Sequence, residues 1–462
     1  MRARSTSRRS PLSDREDARL PARVLAAYAL PAFPAATLGL PLLIYLPTFY
    51  AGATGLGLAA IGGVLLVARL WDVAVDPAIG WLSDRTRTRW GRRRPWMAAA
   101  LPVVLAASYM LFDPPPDAGA AYLLVWTMLA YLGWSMLQIP HQAWGAELSR
   151  DYGERNRIAA WRESLTVAGV ALAAALPAIA GALGLTADGA PPEAAALQIL
   201  FWTNLIVLPL SGVLLLRGVP EPVPVPPAPG FDLAAGWRLL RANLPFRTLV
   251  VGYLLNGVAN ALPATLFLLF AGDVLGARGI EGALLLVYFV AGIASVPLWL
   301  RAARLWGKHR TWCAAMLACC AAFAPVPLLG AGDVPSFLIV CLATGLCFGA
   351  DLALPSSMQA DVVDEDTAAG GGQRTGLYFA VWAVAGKFAL ALAPAFAFPL
   401  LDMAGYVRGA ESTDGHLALG ALYAWVPVAF KLAAVALMWN FPLDAARQGR
   451  LRAQIETRLG TP

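Results

Sequence analysis

Charged residues are scarce in this 462-residue chain. Asp, Glu, Lys and Arg make up only 14% of it, whereas 58% of the residues are hydrophobic. That composition leaves too little polar surface for a soluble protein of this length, so most of the surface must face lipid. The formal net charge of +6 does not indicate nucleic-acid binding, because the basic residues lie in alternate loops rather than on one soluble face.

Histidine and cysteine are also rare, with three and five residues in the whole chain. The cysteines fall inside apolar stretches and lack the paired spacing of a metal site. Only His141 and Glu147 hint at catalysis, and no nucleophile, further base or metal cluster accompanies them. The sequence therefore argues against an enzyme, and we expect no cofactor and no metal beyond a possible Na⁺.

Long apolar stretches are what the sequence has in abundance. A membrane-spanning helix needs about 20 mostly apolar residues. Twelve stretches meet this requirement, at 24–50, 56–82, 95–113, 119–148, 157–184, 195–216, 245–272, 281–302, 311–330, 334–360, 374–402 and 416–441.

The loops between these stretches alternate between arginine-rich and nearly uncharged. The 83–94 loop holds six arginines, whereas the loops of the opposite side contain only Arg278 and Arg408 between them. Because Lys and Arg mark the cytoplasmic side of short loops, we expect a multi-pass protein of a bacterial-type inner membrane with both termini in the cytoplasm.

A Pro-rich segment divides the chain. Residues 218–244 read as a cytoplasmic linker between residues 1–217 and 245–462, each with six helices. The pattern Trp90-Gly91-Arg92-x-Arg94-x-Trp96 recurs as Trp306-Gly307-Lys308-x-Arg310-x-Trp312, each time after the second helix of its half. The repeat predicts an all-α membrane protein with two pseudo-symmetric six-helix bundles that rock around a midplane site.

Several charges fall inside the predicted spans, where each costs at least about 2.5 to 3.5 kcal/mol. Asp72 and Asp76 share one face of the second helix, with Arg69 one turn earlier. Two such carboxylates need a cation, either Na⁺ held by hard oxygens or a shared proton. An alternative is a buried ion-pair cluster with Arg69 and a basic partner from another helix that serves only assembly. Lys387, near the middle of the eleventh span, needs a counter-charge, and the two aspartates are the obvious candidates.

Other polar residues inside the spans are candidates for solute binding or coupling, or for plain hydrogen bonds between helices. They are Ser135, Gln138 and Gln142 in the fourth span, Arg162 in the fifth, Asn256 and Asn260 in the seventh, Asp351 in the tenth and Lys431 in the twelfth.

The second span and the loop after it resemble a known signature. The run Arg69-Leu-Trp-Asp72-Val-Ala-Val-Asp76-Pro77-Ala-Ile-Gly80-Trp-Leu-Ser-Asp84-Arg85, with Arg89-Trp90-Gly91-Arg92 after it, is similar to that of the glycoside-pentoside-hexuronide:cation symporter family. This is the melibiose-permease branch of the major facilitator superfamily. The fourth-helix segment from Gln138 to Glu147 and Lys387 in the eleventh span agree in order.

The resemblance implies a transporter that couples a cation, H⁺ or Na⁺, to a sugar, glycoside or related solute by alternating access. It implies a cation site on Asp72 and Asp76 completed by Ser135, with Arg162 and Lys387 around the solute cavity. A further set resembles the superfamily's cytoplasmic gate motif, whose residues close the inward side by charge and helix-end contacts. These gate residues are Gly80, Asp84, Arg85, Gly91 and Arg92.

The chain also departs from the sugar-binding pattern. Its first span has no acidic residue from Val24 to Tyr50, and Gln138 stands where sugar carriers have an acid. Val75 replaces a residue that offers Na⁺ an amide oxygen, which favours H⁺ as the coupling ion. A symporter of lysolipids or other amphiphiles is the alternative. In either case the expected partners are a small solute, a cation and membrane lipid, with no nucleic acid, and a monomer is expected.

Overall fold

The computed structural model of the protein describes residues 19–149, 152–185, 192–221, 238, 241, 243–368, 375–409 and 413–442. In these residues, twelve helices are long and apolar enough to cross a membrane. Their bounds are Ala22–Ala53 (α1), Leu58–Arg85 (α2), Arg94–Phe112 (α3), Ala120–Gly145 (α4), Arg157–Gly181 (α5), Glu193–Gly218 (α6), Leu244–Val274 (α7), Glu281–Trp306 (α8), Lys308–Leu328 (α9), Val334–Val363 (α10), Leu377–Met403 (α11) and Asp414–Met438 (α12). The predicted number of spans is confirmed.

Three of the spans contain a π-helical turn. These turns cover Pro41–Tyr45 in α1, Phe270–Val274 in α7 and Ala421–Trp425 in α12. Two of these helices lie inside the bundle, since 78% of the most apolar window of α1 and 67% of that of α7 are buried, against 44% for α12. Irregular backbone is tolerated at membrane depth where protein surrounds it, because neighbouring groups can satisfy the freed carbonyls.

The repeated Trp-Gly-basic pattern has the same structure in both places. Gly91 and Gly307 each adopt a positive φ, +102° and +83°, which favours glycine. The next residue then reaches the fourth helix of its own six-helix set: Arg92 contacts Glu147, just past α4, at 2.7 Å, and Lys308 contacts Asp361 of α10 at 2.6 Å. These matching turns support an internal duplication. Most of the predicted linker lies outside the described residues, so the domain boundaries stay a prediction.

Helices of the first set pack against helices of the second along two seams, α2 with α11 and α5 with α8. Both seams are tight on the side opposite the arginine-rich loops. A Cβ at Gly62 of α2 would lie 2.7 Å from the carbonyl oxygen of Pro394 in α11, and one at Gly282 of α8 would lie 2.7 Å from that of Ala174 in α5. Glycine at these two positions permits the close approach.

An arginine after α11 adds a polar contact across the same side. One nitrogen of Arg408 lies 2.6 Å from Oε1 of Glu193, at the start of α6. Another donates to the carbonyl oxygen of Thr48 in α1, also at 2.6 Å. The contact joins the second half of the chain to the first, so the side with few basic residues is closed in this conformation.

Candidate cation and solute site

The two aspartates of α2 share one ammonium group. Nζ of Lys387 lies 2.7 Å from Oδ1 of Asp72 and 2.5 Å from Oδ2 of Asp76. Asp72 is buried, whereas the side chains of Asp76 and Lys387 retain 26% and 23% of their exposure. The pairing predicted from the sequence is present, and it bridges the α2–α11 seam between the two halves.

Ser135 of α4 lies against the same carboxylates, as the sequence predicts. Its Oγ donates to Oδ1 of Asp76 at 2.6 Å and stands 3.4 Å from Oδ1 of Asp72. A hydroxyl carries one proton, so the shorter contact is the one it donates in this conformation. The site therefore collects four carboxylate oxygens and one hydroxyl oxygen, all hard ligands suited to Na⁺ or to a proton.

Arg69 offers a weaker contact. Its NH1 lies 3.3 Å from Oδ2 of Asp72, and its guanidinium stacks 4.4 Å from the ring centre of Tyr131. Among the described side chains it does not reach Asp76. With Lys387 and Arg69 charged, two positive groups balance two carboxylates, and the closer of them is the lysine. An ion-pair cluster that serves only assembly has the same members, Arg69 and a basic residue from another helix, so the cation-binding role of the aspartates stays a prediction.

The remaining candidate solute residues separate into different places. Asn256 and Asn260 meet Asp351 and not the α2 aspartates. Arg162 pairs at 2.5 Å with Glu163, its neighbour on α5. Gln138 is partly buried and Gln142 exposed, and within the described part of the chain neither contacts Asp72 or Asp76.

His141 and Glu147, the two residues that hinted at catalysis, contact different partners. Nε2 of His141 donates to the carbonyl oxygen of Tyr28 at 2.7 Å, and Oη of Tyr28 donates to the carbonyl oxygen of His141 at 3.2 Å. Glu147 belongs to the arginine cluster. A buried histidine that holds α1 to α4 accounts for the first residue without any catalytic role.

The residues of the gate motif form a cluster of ion pairs. Its central arginine is Arg93, whereas the sequence predicted Arg85 and Arg92 as the gate arginines. Arg93 is buried and contacts Asp84 at 2.7 Å and Glu147 at 2.6 Å. The carboxylate of Glu221, after α6, accepts from the backbone N–H of Arg92 at 2.6 Å. A Cβ at Gly91 would clash with that carboxylate.

The two other predicted gate residues are Arg85 and Gly80. Arg85 stacks 4.3 Å from the ring centre of Trp81, and a Cβ at Gly80 would touch Ile139 of α4 at 3.9 Å. Arg93, Glu147 and Glu221 were not assigned to the gate from the sequence. Arg93 stands in a run of three arginines, and that run was the only signal pointing to it. The gating role of the whole set stays a prediction.

Comparison with known proteins identifies the family of the chain. A family model described as "MFS/sugar transport protein" matches residues 27–445. The chain belongs to this family. A glucuronide carrier protein homolog of Escherichia coli K12 is 23% identical over 426 residues, which cover 90% of this chain and 91% of the relative. Sodium-dependent lysophosphatidylcholine symporter 1-A of Danio rerio is 25% identical and covers 86% and 81%.

A solved structure shows the same fold. The crystal structure of a D-xylose-proton symporter superposes with a TM-score of 0.62 at 13% sequence identity, covering 92% of this chain and 97% of that one. The protein is thus an all-α, twelve-span member of the MFS/sugar transport family, with the major facilitator fold that the sequence predicted. Its relatives are transporters, not enzymes. The cytoplasmic position of the termini stays a prediction.

Proposed function

We propose that the protein is a cation-coupled symporter of an organic solute in which Lys387 occupies the cation site until the coupling ion arrives. The observation that carries the proposal is the ammonium shared by Asp72 and Asp76 across the α2–α11 seam. Two carboxylates one turn apart at membrane depth persist only with a positive partner. An arriving cation competes with Lys387 for these oxygens, which links ion binding to a contact between the halves.

The sequence of events follows from charge balance. A cation on the carboxylates leaves the ammonium of Lys387 without its partners. Loss of the lysine contact also loosens the seam, which permits the halves to rock around the site. Without the cation, the ion pair re-forms and the seam stays closed. Solute and cation therefore cross together.

We propose H⁺ as the coupling ion. A proton on Asp76, the more exposed of the two carboxylates, removes one negative charge and needs no extra room beside Lys387. Val75 supplies no side-chain oxygen to complete a Na⁺ shell. The D-xylose-proton symporter with the same fold uses H⁺, whereas the Danio rerio relative is described as sodium-dependent, so the ion needs a direct test.

The solute proposed first is a sugar, glycoside or hexuronide, as with the Escherichia coli relative. A lysolipid or similar amphiphile is the second candidate. The apolar, aromatic-lined cavity between α7, α8, α9, α10 and α12 favours it. We also propose a bacterial-type inner membrane location with both termini in the cytoplasm, because the arginine-rich loops all lie on one side.

Uptake into proteoliposomes tests the coupling. Phenyl β-D-glucuronide uptake is measured with an imposed pH gradient, with a Na⁺ gradient, and with neither. We expect accumulation above the outside concentration with the pH gradient alone, and its loss in Asp72→Asn and Asp76→Asn. Asp402→Asn, an exposed carboxylate at the end of α11, is the matched control and should retain it. Undiminished accumulation in both α2 variants would rule out the proposed site, and dependence on Na⁺ alone would rule out H⁺.

A further inference from the structure

A second pair of opposite charges lies inside the membrane, away from the α2 aspartates. Asp351 of α10 and Lys431 of α12 expose only 10% and 6% of their side chains. Their charged atoms stand 3.5 Å apart. From the sequence, both residues were candidates for solute binding or coupling, or for hydrogen bonds between helices. The structure buries Lys431 beside Asp351, and a buried intramembrane charge needs a partner or a purpose.

Asp351 and Lys431 differ in how many hydrogen bonds they make. Oδ1 of Asp351 accepts from Nδ2 of Asn256 at 3.0 Å and from Nε1 of Trp312 at 2.6 Å, and Oδ2 accepts from Nδ2 of Asn260 at 2.8 Å. Three neutral N–H groups thus stabilise the carboxylate. This arrangement accounts for both asparagines of α7, which hold Asp351 in place and do not reach the α2 site.

The ammonium of Lys431 is less well satisfied. It donates to Oδ1 of Asn256 at 2.7 Å, and Oδ2 of Asp351 at 3.5 Å is its next acceptor among the described residues. An ammonium has three N–H donors and no acceptor. These two acceptors therefore leave the ammonium able to donate a further hydrogen bond.

Lys431 and Asp351 line a cavity. It is partly open to solvent, and its walls come from α7, α8, α9, α10 and α12, with Ile44 of α1 at its border with the first half. The lining is mostly apolar and includes several aromatic side chains, among them Phe267, Tyr288, Phe289, Phe337, Phe348 and Tyr423. An apolar cavity with a few converging polar groups is typical of a small-molecule site.

We propose that this cavity binds an organic anion with an aromatic or alkyl body, whose negative group accepts hydrogen bonds from Lys431. The apolar body lies among the aromatic walls, and the anion supplies the acceptor that Asp351, held by its three N–H donors, does not. The inference rests on the proposed transport function and deepens it, because it assigns the transported solute a negative charge and an apolar part.

Binding to the purified full chain tests the proposal through thermal stabilisation. Three probes separate the contributions: phenyl β-D-glucuronide carries both features, glucuronate lacks the aryl group, and phenyl β-D-glucoside lacks the charge. We expect phenyl β-D-glucuronide to bind more tightly than either of the others. Lys431→Gln should weaken its binding about tenfold or more and abolish its advantage over the glucoside. Lys308→Gln, outside the cavity, is the matched control.

A second variant leaves the polar cluster intact. Cys341 lies in the cavity wall, so Cys341→Trp should fill the space and weaken binding of both phenyl compounds, whereas Cys341→Ala should not. The two Cys341 variants test the cavity proposal even if Lys431→Gln does not fold. No stabilisation of the unmodified protein by phenyl β-D-glucuronide, or equal stabilisation by glucuronate, would overturn the proposal. Unchanged binding in both Lys431→Gln and Cys341→Trp would overturn it too.

The two proposals fail separately. Asp72→Asn should abolish pH-driven accumulation and keep phenyl β-D-glucuronide binding, because Asp72 lies outside the cavity lining. If the cavity proposal alone is wrong, accumulation still depends on Asp72 while binding ignores Lys431 and Cys341. If the symport proposal alone is wrong, binding depends on Lys431 while accumulation ignores Asp72.

Discussion

Replacement of Lys387 by Gln should destabilise the protein, and a second substitution should rescue it. The ammonium is the closest positive group to both α2 carboxylates, at 2.7 and 2.5 Å. Its removal leaves Asp72, which is buried, with Arg69 at 3.3 Å and leaves Asp76 with Ser135. The two carboxylates then repel each other without a shared cation between them.

The size of the effect follows from burial. At an effective dielectric constant of about 20, unit charges about 3 Å apart attract by about 5 kcal/mol. Desolvation opposes that attraction, and removal of one partner of a buried pair costs about 3 to 5 kcal/mol. Since Asp76 and Lys387 are partly exposed, we expect the free energy of unfolding to fall by about 3 kcal/mol, the low end of that range.

The rescue separates charge repulsion from lost packing. Asp76→Asn removes one of the two negative charges, so Lys387→Gln should cost at least about 1 kcal/mol less in the Asp76→Asn background. The free energy of unfolding is measured in mixed dodecyl maltoside and dodecyl sulfate micelles for the four members of the cycle. If Lys387→Gln changed it by less than about 0.5 kcal/mol, or if the two effects were additive, the account of a lysine held by two carboxylates would be refuted.

Three further substitutions test the surrounding contacts. Ser135→Ala should lower the H⁺ concentration for half-maximal uptake about tenfold, because the hydroxyl donates to the charged form of Asp76 and such a hydrogen bond contributes about 1.5 to 3 kcal/mol; Ser108→Ala, a buried serine of α3, should not change it. Arg408→Ala removes the 2.6 Å contact with Glu193, so spin labels at positions 53 and 407 should report longer distances; unchanged distances would show that the contact does not hold that side closed. Glu147→Gln should lower the free energy of unfolding by about 2 kcal/mol, because it weakens contacts with two arginines at 2.7 and 2.6 Å; a change below about 0.5 kcal/mol would contradict a structural role for the cluster.

The sequence predicted those features that a single helix or a single charge determines. Twelve apolar stretches of spanning length required twelve helices, because backbone polar groups in lipid must be satisfied within the helix. Lys387 required a counter-charge at its depth, and Asp72 and Asp76 stood on the face of α2 that the 3.6-residue period gives them. Both predictions needed only periodicity and the cost of an unpaired charge.

Features that depend on which helices become neighbours were not predicted in detail. The i, i+4 spacing of Asn256 and Asn260 placed them on one face, but nothing in that spacing selected Asp351 as their shared partner. Arg408 read as one of two isolated arginines on a nearly uncharged side, although it contacts Glu193 across the two halves. Arg93 could not be told from its neighbours, because the turn at Gly91 decides which guanidinium points inward.

The helix α7 contacts both the Asp351–Lys431 pair and the helix that carries Lys387. A Cβ at Gly257 of α7 would lie 2.8 Å from Cβ of Ala389 in α11, two residues from Lys387. The residue before it, Asn256, donates to Asp351 and accepts from Lys431. Because packed helices shift as rigid pieces, movement of α11 after Lys387 leaves the aspartates must be taken up at α7. On the proposed mechanism we therefore expect the polar end of the cavity to change shape when a cation replaces Lys387 at the aspartates, which would couple cation and solute binding without direct contact between them.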